Sequence, residues 1–559
     1  IIAQILILLL VKTINFSIMN KPIDRIYIKQ WLALKPYEYQ VKTDSYYLKL
    51  CNEVKKAIVN NERSFVLHMY INIENIDLLS CFLTSYFEDL ISGTNIWNSF
   101  INVHKRLYSK QLPFFDLDEY YEEEINLQDV CFLIWYFLNT LQQEKFISPI
   151  NDFIDEIAES VMAVFDKAWE FAPENGLLKS FYNINNDETD YYAARDFIDR
   201  VLFNTYLFYP DTLLFLREKE AVVIEENEKK EYLQASLNDA RDNIIHKSHT
   251  KLLGLTGKEW VAEILGKNHP LSNDFSNISQ KIIGYFLYKG QDDDNIFLEH
   301  IASGKKFNLT KKSFDRYEDF TEIDTILYIG IVKWRGEWWF SGVLFQIEFN
   351  QDLVFDEKNS DESRMAVNFI DHNENDMDEL LNNQFNAFKD LNNGLQIAFM
   401  ESDKIEHFLK NYTEYYNKSL NLSKKAKKEA KERAKNDNYF GGEDYKTTDF
   451  SEISESALIF FNPKSGVEIA LAVNSAFPSA NNPFFNEEES EDHIFRLFMA
   501  EDLSAELSMF CIDNYKSKLP FFKEKEGQIY LNDIDFLLRF WKNSNYFTKP
   551  TVTFIGTKS

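Results

Sequence analysis

The chain has 559 residues, 45% of them hydrophobic, and its 89 acidic and 60 basic side chains give a formal net charge of −29. That length predicts a large buried core and several domains, whereas the charge opposes nonspecific attraction to nucleic-acid phosphates and anionic membranes. The four cysteines, Cys51, Cys81, Cys131 and Cys511, show no C-x-x-C spacing, so we expect free thiols in a reducing cytoplasm.

The first residues need a separate interpretation. Ile1 to Val11 is an apolar run, but no basic region precedes it, no small-x-small cleavage site follows it, and it is too short to span a bilayer. Met19 opens the stretch MNKPIDRIYIKQW, which reads as a natural start. We therefore expect residues 1–18 to be upstream or non-native sequence.

Residues 19–250 predict a helical domain. Apolar residues recur at helical spacing in DSYYLKLCNEVKKAIVN, ENIDLLSCFLTSYFEDLI and INDFIDEIAESVMAVFDKAWEFA. The run Val130 to Leu138 is apolar on every face and much shorter than a membrane span. It therefore predicts a helix in the centre of this domain.

One internal similarity joins two distant segments. Tyr108 to Phe115 reads YSKQLPFF, Tyr515 to Phe522 reads YKSKLPFF, and a predicted helix follows each after an acidic stretch. Two separated copies do not make a repeat array. Two explanations stay open: Leu-Pro-Phe-Phe ends a helix and fills a neighbouring core, or a helical unit was duplicated.

Residues 251–357 predict a small β-barrel preceded by a helix. Five short segments with strand patterning are separated by turn signals such as Arg335-Gly336: KIIGYFLYK, NIFLEHI, KKFNLT, DTILYIGIVKW and EWWFSGVLFQIEF. Glycines at 284, 330 and 342 indicate strong curvature, which is typical of an SH3-like or OB-like barrel.

The last hairpin of this barrel is a candidate site for a protein partner, formed by Trp334, Arg335, Trp338 and Trp339. Trp338 and Trp339 are adjacent in a strand, so their side chains point to opposite faces. One of them lies outside the barrel core, where it packs on a neighbouring domain, which we favour, or anchors a partner.

Several stretches are similar to a known family: RIYIKQWLALKPY, LPFF followed by DLDEYYEEEI, YFLYKGQDDDNIFLEHIASGKKFNLTKKSFD, and NPFF between acidic residues. They resemble uncharacterised proteins of Bacteroidota grouped as domain of unknown function 3843. The resemblance extends over most of the chain from Lys21 and implies a bacterial cytoplasmic protein. It implies no activity, cofactor or catalytic residue.

Residues 358–455 predict a helical connector with a basic helix. Its cations are Lys424, Lys425, Lys428, Lys431, Arg433 and Lys435. Such a helix either binds phosphates or an acidic partner, or is solvated and partly neutralises the acidic surfaces of its own chain. The net charge favours the second interpretation. Residues 456–559 predict an α+β domain in which two strands flank Asn462 to Gly466.

Asp242, His246 and His249 form a candidate metal site. We expect them on one face of a helix, where two imidazoles and a carboxylate could coordinate a metal ion. The chain lacks H-E-x-x-H, and surface or capping histidines are the commoner explanation of such a pattern.

These patterns predict a multi-domain α+β protein without GxSxG or Rossmann motifs. We expect a non-catalytic interaction or scaffold protein in the cytoplasm, with a protein partner, no cofactor, no nucleic acid and no membrane. The alternatives are a metal-dependent hydrolase using Asp242, His246 and His249, or nucleic-acid binding through the basic helix at 424–435.

Overall fold

The computed structural model describes residues 25–547, apart from residues 118, 143–145, 228–231, 315–316, 361–362, 365, 368–369, 371–373, 421–422, 424, 426–427 and 429–449. The chain divides into two compact units. Unit 1 comprises Ile1–Ile101, Leu117–Ile184 and Arg200–Leu213, and unit 2 comprises Asn102–Asp116, Asn185–Asp199 and Leu214–Ser559. No helix in the described part is long and apolar enough to cross a membrane. The domain boundaries expected from the sequence stay predictions.

Unit 1 is helical. The first nine helices of the chain are α1 (Ile28–Leu32), α2 (Asp44–Asn60), α3 (Ser64–Leu67), α4 (Ile73–Ser92), α5 (Ile96–Tyr108), α6 (Leu127–Leu141), α7 (Asp152–Ala168), α8 (Gly176–Phe181) and α9 (Tyr191–Phe203). The last residues of α5 and the first residues of α9 belong to unit 2. The predicted helical N-terminal region is therefore confirmed.

The centre of unit 1 is helix α6. Every residue from Asp129 to Thr140 is buried, as expected for a helix that is apolar on all faces. Helix α4 packs against it, with the rings of Phe82 and Phe137 centred 5.4 Å apart. Asn72 caps α4 by accepting a hydrogen bond from the backbone of Asn75, so the boundary of this helix follows from local chemistry.

Unit 2 adds eleven helices and two sheets. The helices are α10 (Leu214–Asn227), α11 (Leu233–Lys247), α12 (Gly257–Leu265), α13 (Ser272–Ser276), α14 (Gln351–Asn359), α15 (Glu374–Leu391), α16 (Ile405–Ser419), α17 (Ser490–Met499), α18 (Ala505–Tyr515), α19 (Lys525–Asn532) and α20 (Ile534–Trp541). The strands are β1 (Ile282–Gln291), β2 (Asn295–His300), β3 (Lys306–Thr310), β4 (Ile326–Trp334), β5 (Glu337–Ile347), β6 (Ile397–Glu401), β7 (Ser456–Asn462) and β8 (Gly466–Leu471).

Strands β1 to β5 close into a barrel in the order β1-β2-β3-β5-β4. Strand β1 is antiparallel to both β2 and β4, whereas β3 and β5 are parallel and meet at Leu309 and Trp338. This order is the arrangement of the OB-fold. The predicted five-stranded barrel is therefore confirmed, and its strand order favours the OB-like alternative.

Alternation along the strands separates the barrel core from its outer face. Phe286, Leu298 and Leu309 point inward and are buried, whereas their sequence neighbours point outward. Strand β4 has a register shift between Ile329 and Ile331. A Cβ at the intervening Gly330 would lie 2.1 Å from the carbonyl oxygen of Ser341, so this bulge requires glycine.

Strands β6, β7 and β8 form an antiparallel sheet with helices on both faces. Ala457, Ile459 and Phe461 of β7 pack against the helices α15 and α16. Phe460 faces the other way, with its ring centred 5.2 Å from that of Phe510 in α18. The predicted α+β character of this region is confirmed, while the closing strand expected at TVTFIG lies outside the described residues.

The two Leu-Pro-Phe-Phe segments occupy different local structures. Leu112 and Leu519 are both buried, but Phe114 adopts a positive φ of 67°, whereas Phe521 lies in a short 3-10 helix. The first segment contacts the helix that follows the second, because Tyr108 donates a 2.7 Å hydrogen bond to Asp535. This arrangement fits the core-filling explanation better than a duplicated unit.

Candidate functional site

A buried charge cluster on the outer face of the barrel centres on Asp242 of α11. Arg195 of α9 donates from Nε to Asp242 Oδ1 at 2.7 Å. Lys281, immediately before β1, places Nζ 2.7 Å from Oδ2, and both side chains are fully buried. Ser341 of β5 places Oγ 2.9 Å from each oxygen of the same carboxylate. Asp242 therefore ties two helices to two edges of the barrel.

A second carboxylate balances the cluster. Lys281 Nζ lies 3.0 Å from Oδ1 of Asp239, one helical turn before Asp242, and 3.2 Å from Oδ1 of Asn243. Two cations, Arg195 and Lys281, thus face two carboxylates. Such pairing is what permits charges to remain in a protein interior, because an unpaired buried charge is strongly unfavourable.

Two glycines make the space for Lys281. Gly342 of β5 has a φ of +91°, and a Cβ there would lie 2.6 Å from Lys281 Nζ and 2.8 Å from Asp239 Oδ1. A Cβ at Gly330 of β4 would lie 2.7 Å from Lys281 Cε. The glycines that curve the barrel therefore also admit the charged side chain.

The hydrogen bonds around Ser341 fix the proton positions. Ionised Asp242 only accepts, so Ser341 donates to it. Tyr191 OH lies 2.6 Å from Ser341 Oγ and therefore donates to that oxygen. His246 Nε2 lies 2.7 Å from Tyr191 OH and must donate in turn. The assigned order is His246 to Tyr191 to Ser341 to Asp242, with the imidazole proton on Nε2.

The pKa values agree with this order. Burial alone would raise the pKa of Asp242, but the charges of Lys281 and Arg195 outweigh it and lower the pKa to about 2. Burial lowers the pKa of His246 to about 4. At neutral pH the cluster therefore holds an ionised aspartate and a neutral histidine.

This arrangement is suited to holding the barrel rather than to nucleophilic catalysis. In a Ser-His-Asp relay, serine and aspartate contact opposite nitrogens of the imidazole. Here Ser341 Oγ and Asp242 Oδ1 both lie on the Nε2 side of His246, at 3.4 and 3.9 Å. Because Nε2 carries the proton, it has no lone pair with which to take a proton from Ser341.

The predicted metal ligands do not converge. Helix α11 ends at Lys247 and Ser248 is extended with ψ 143°, so the expectation that His249 shares the helix face is wrong. The ring of His249 lies 5.5 Å from that of Phe547. Within the described ranges, no group of three or more His, Cys, Asp or Glu residues is arranged to hold a metal ion.

The predicted partner-binding hairpin is used by its own chain. Trp334 is 1% exposed and donates from Nε1 to the carbonyl oxygen of Thr189 at 3.2 Å. Arg335 donates from Nη1 to the carbonyl oxygen of Glu188 at 2.6 Å and lies 3.3 Å from Asp274. The tip of the hairpin therefore holds the segment that leads into α9.

The two adjacent tryptophans divide as alternation predicts. Trp338 packs on the barrel core, with its ring centred 5.0 Å from that of Phe307. Trp339 points outward and is 3% exposed. It lies between Tyr191 and Tyr192, with ring centres 6.1 and 6.0 Å away. The outward tryptophan thus packs on α9, and partner binding by this hairpin stays a prediction.

The basic helix lies mostly beyond what is described. Lys425 and Lys428 are helical and exposed, while Lys424, Lys431, Arg433 and Lys435 lie outside the described residues. Helix α16 ends at Ser419, before this segment begins. Phosphate or acidic-partner binding at 424–435 therefore stays a prediction.

The outer face of β2 and β3 is accessible to solvent. Lys306 and Asn308 are exposed, and Phe297 and Glu299 are partly exposed. Phe297 pairs with Asn308, and Glu299 pairs with Lys306, across the two strands. This is the face on which OB-folds bind their ligands.

Unit 1 contains a surface cavity of about 630 Å³ beside α2. Its lining residues are Arg25, Ser45, Leu48, Lys49, Asn52, Lys55, Lys56, Val59, Asn60 and Ile73. Lys55 lies 2.6 Å from buried Asp77, and Lys49 lies 3.9 Å from Glu53. Two of its four cations are therefore already paired with carboxylates.

Sequence reasoning found Asp242 and His246 but missed their partners. Arg195, Lys281, Ser341 and Tyr191 come from elements far apart in the chain. One available signal was Lys281 at the start of an apolar strand, because a lysine in such a position needs a buried partner. The glycines at 330 and 342 were recognised only for their effect on curvature.

Comparison with known proteins gives one match. No curated protein and no solved structure matches the chain. Residues 25–327 match the family described as "Protein of unknown function (DUF3843)", a region that includes the helices α1 to α13 and the first three barrel strands. Because this match covers more than half of the sequence, the chain belongs to the DUF3843 family.

Proposed function

We propose that this protein is a non-catalytic interaction protein that binds a protein partner across the outer face of β2 and β3. The observation that carries the proposal is the unequal covering of the barrel. The outer face of β1, β4 and β5 is held by α9 and α11 through the Asp242 cluster, whereas Lys306 and Asn308 on β3 are exposed.

Local charge favours a protein over a nucleic acid. Asp292, Asp293 and Asp294 are exposed in the turn between β1 and β2, and this turn borders the binding face of an OB-type barrel. Asp292 Oδ1 accepts from the backbone of Asp294 and Asn295 at 2.9 and 2.7 Å. Carboxylates at this position repel phosphates, which nucleic-acid binding must attract.

The chemistry of the face supports a mixed polar and aromatic contact. Phe297 offers a partly exposed ring beside Asn308, and Glu299 faces Lys306 on the neighbouring strand. Interfaces combine such an aromatic contact with polar groups at the rim. Four free, buried cysteines are consistent with the cytoplasmic location that we include in this proposal.

Site-specific photo-crosslinking tests the proposal. A photoreactive amino acid at position 308 is compared in living cells with the same group at position 273, which is exposed on α13. We expect a protein adduct at 308 that is absent at 273. The identified partner is then titrated with purified protein, and Asn308→Glu should weaken binding about tenfold or more, while Asn273→Glu should not.

Two results would overturn the proposal. One is a nucleic-acid adduct at position 308 whose binding weakens steeply with salt. The other is a partner whose affinity is the same for wild type and Asn308→Glu.

A further inference from the structure

A row of aromatic side chains crosses the outer face of the barrel beside the Asp242 cluster. Tyr285 of β1 is directly opposite Tyr328 of β4, which is directly opposite Phe345 of β5. The ring centres are 4.9 Å apart for the first pair and 6.3 Å for the second. Tyr232, immediately before α11, extends the row with its ring 6.3 Å from Phe345.

The row lies between two covered regions of the same face. On one side, Ser341 and Lys281 belong to the Asp242 cluster. On the other side, Leu353 and Val354 of α14 pack over an apolar cluster that contains Ile326. Phe345 is 38% exposed and Tyr232 is 46% exposed. The row is therefore an accessible aromatic strip in an otherwise covered surface.

Negative charge surrounds this strip. Burial, then the carboxylate of Asp239, then Tyr285 and the carboxylate of Glu357 raise the pKa of Tyr328. Aromatic faces attract cations through their quadrupole, and nearby carboxylates add to that attraction. The chain as a whole carries a formal charge of −29, so cationic partners are favoured over anionic ones.

We propose that the row formed by Tyr232, Tyr285, Tyr328 and Phe345 binds arginine or lysine side chains of a protein partner. This inference rests on the proposed function and names the chemistry of part of the partner. An arginine lying along the row contacts ring faces with its guanidinium plane and covers apolar surface with its methylenes.

A library of random twelve-residue peptides displayed on phage is the probe. The full chain is panned in about 0.15 M salt, and selected peptides are titrated against wild type and variants. We expect selected peptides to contain arginine or lysine. Phe345→Ala and Tyr232→Ala should each weaken their binding about two- to fivefold, the size expected of a lost cation–π contact at a partly exposed site.

Matched variants separate this site from general charge attraction. Phe171→Ala removes an aromatic side chain that is 75% exposed in unit 1, and it should leave peptide binding unchanged. Replacing the peptide cation by citrulline should abolish binding. Equal binding to wild type, Phe345→Ala and Tyr232→Ala would overturn the proposal, as would selected peptides without cations.

The Asn308→Glu variant distinguishes failure here from failure of the proposed function. Peptides that bind the aromatic row should bind Asn308→Glu as they bind wild type. Peptides that lose binding to Asn308→Glu but keep binding to Phe345→Ala would overturn the aromatic site and leave the β2–β3 face supported.

Discussion

Two buried aspartates show how differently the two units stabilise a carboxyl group. In unit 2, Asp242 lies between the cations Lys281 and Arg195, and its pKa falls to about 2. In unit 1, Asp129 contacts only neutral donors, and burial raises its pKa to about 7. Those donors are Tyr86 OH at 2.7 Å, Trp97 Nε1 at 3.1 Å, Tyr120 OH at 3.1 Å and Asn126 Nδ2 at 3.3 Å.

The comparison teaches that burial alone does not determine charge. Hydrogen bonds from neutral groups offset part of the desolvation of Asp129, whereas full positive charges more than offset that of Asp242. The ionic cluster joins separate elements through one carboxylate. The neutral cluster around α6 acts as a polar patch inside an apolar core, and its carboxyl group titrates near neutral pH.

The largest effect is expected from Asp242→Asn. The change leaves Arg195 without its buried carboxylate and Lys281 with only Asp239, which we expect to cost roughly 3–5 kcal/mol. Hydrogen exchange of β1, β4 and β5, followed by mass spectrometry, should show faster exchange. Asp239→Asn is the control, since its side chain is 21% exposed and it should cost about 1 kcal/mol or less. Equal exchange in the two variants would contradict the central role of Asp242.

A smaller effect is expected from Gly342→Ala. The new Cβ would lie 2.6 Å from Lys281 Nζ at a φ of +91°, so crowding adds about 1–3 kcal/mol to about 1 kcal/mol of backbone strain. Gly336→Ala is matched, because Gly336 has a φ of +89° but nothing within 4 Å of its Cβ. Thermal unfolding should show a clearly lower Tm for Gly342→Ala. The same Tm for both variants would mean that Lys281 tolerates the methyl group.

The sequence predicted part of this comparison. The i,i+4 spacing of Asp242 and His246 placed both on one face of a helix, and strand alternation placed Trp339 outside the barrel. The partners of Asp242 could not be predicted, because Arg195, Lys281 and Ser341 meet only through the closure of the barrel. His249 was misplaced because no glycine or proline marks the end of α11, which stops as Ser248 becomes extended.

The smallest effect is expected from Asp129→Asn, and it should depend on pH. The folded pKa near 7 lies above the unfolded value near 4. The folded form therefore binds more protons between those values, and its stability falls as pH rises from 4 to 7. We expect Asp129→Asn to cost about 1 kcal/mol at pH 5 and less at pH 8, where it removes a buried charge.

Hydrogen exchange of α6, corrected for the intrinsic pH dependence of the amides, measures this difference. Asp242→Asn should behave oppositely. Its folded pKa near 2 lies below the unfolded value, so Asp242 stabilises above pH 4 and the loss on mutation should persist at both pH values. A constant cost of Asp129→Asn from pH 5 to pH 8 would show that Asp129 is ionised throughout.

The family match stops at residue 327, the second residue of β4. Strand β1 pairs with β4, and β3 pairs with β5, so both pairings need chain beyond that point. A protein shortened to residues 25–327 would keep three adjacent strands and expose unpaired backbone along β1 and β3. Such edges pair with other copies, so anyone preparing this region for experiments needs to extend it past Ile347 to obtain a closed barrel.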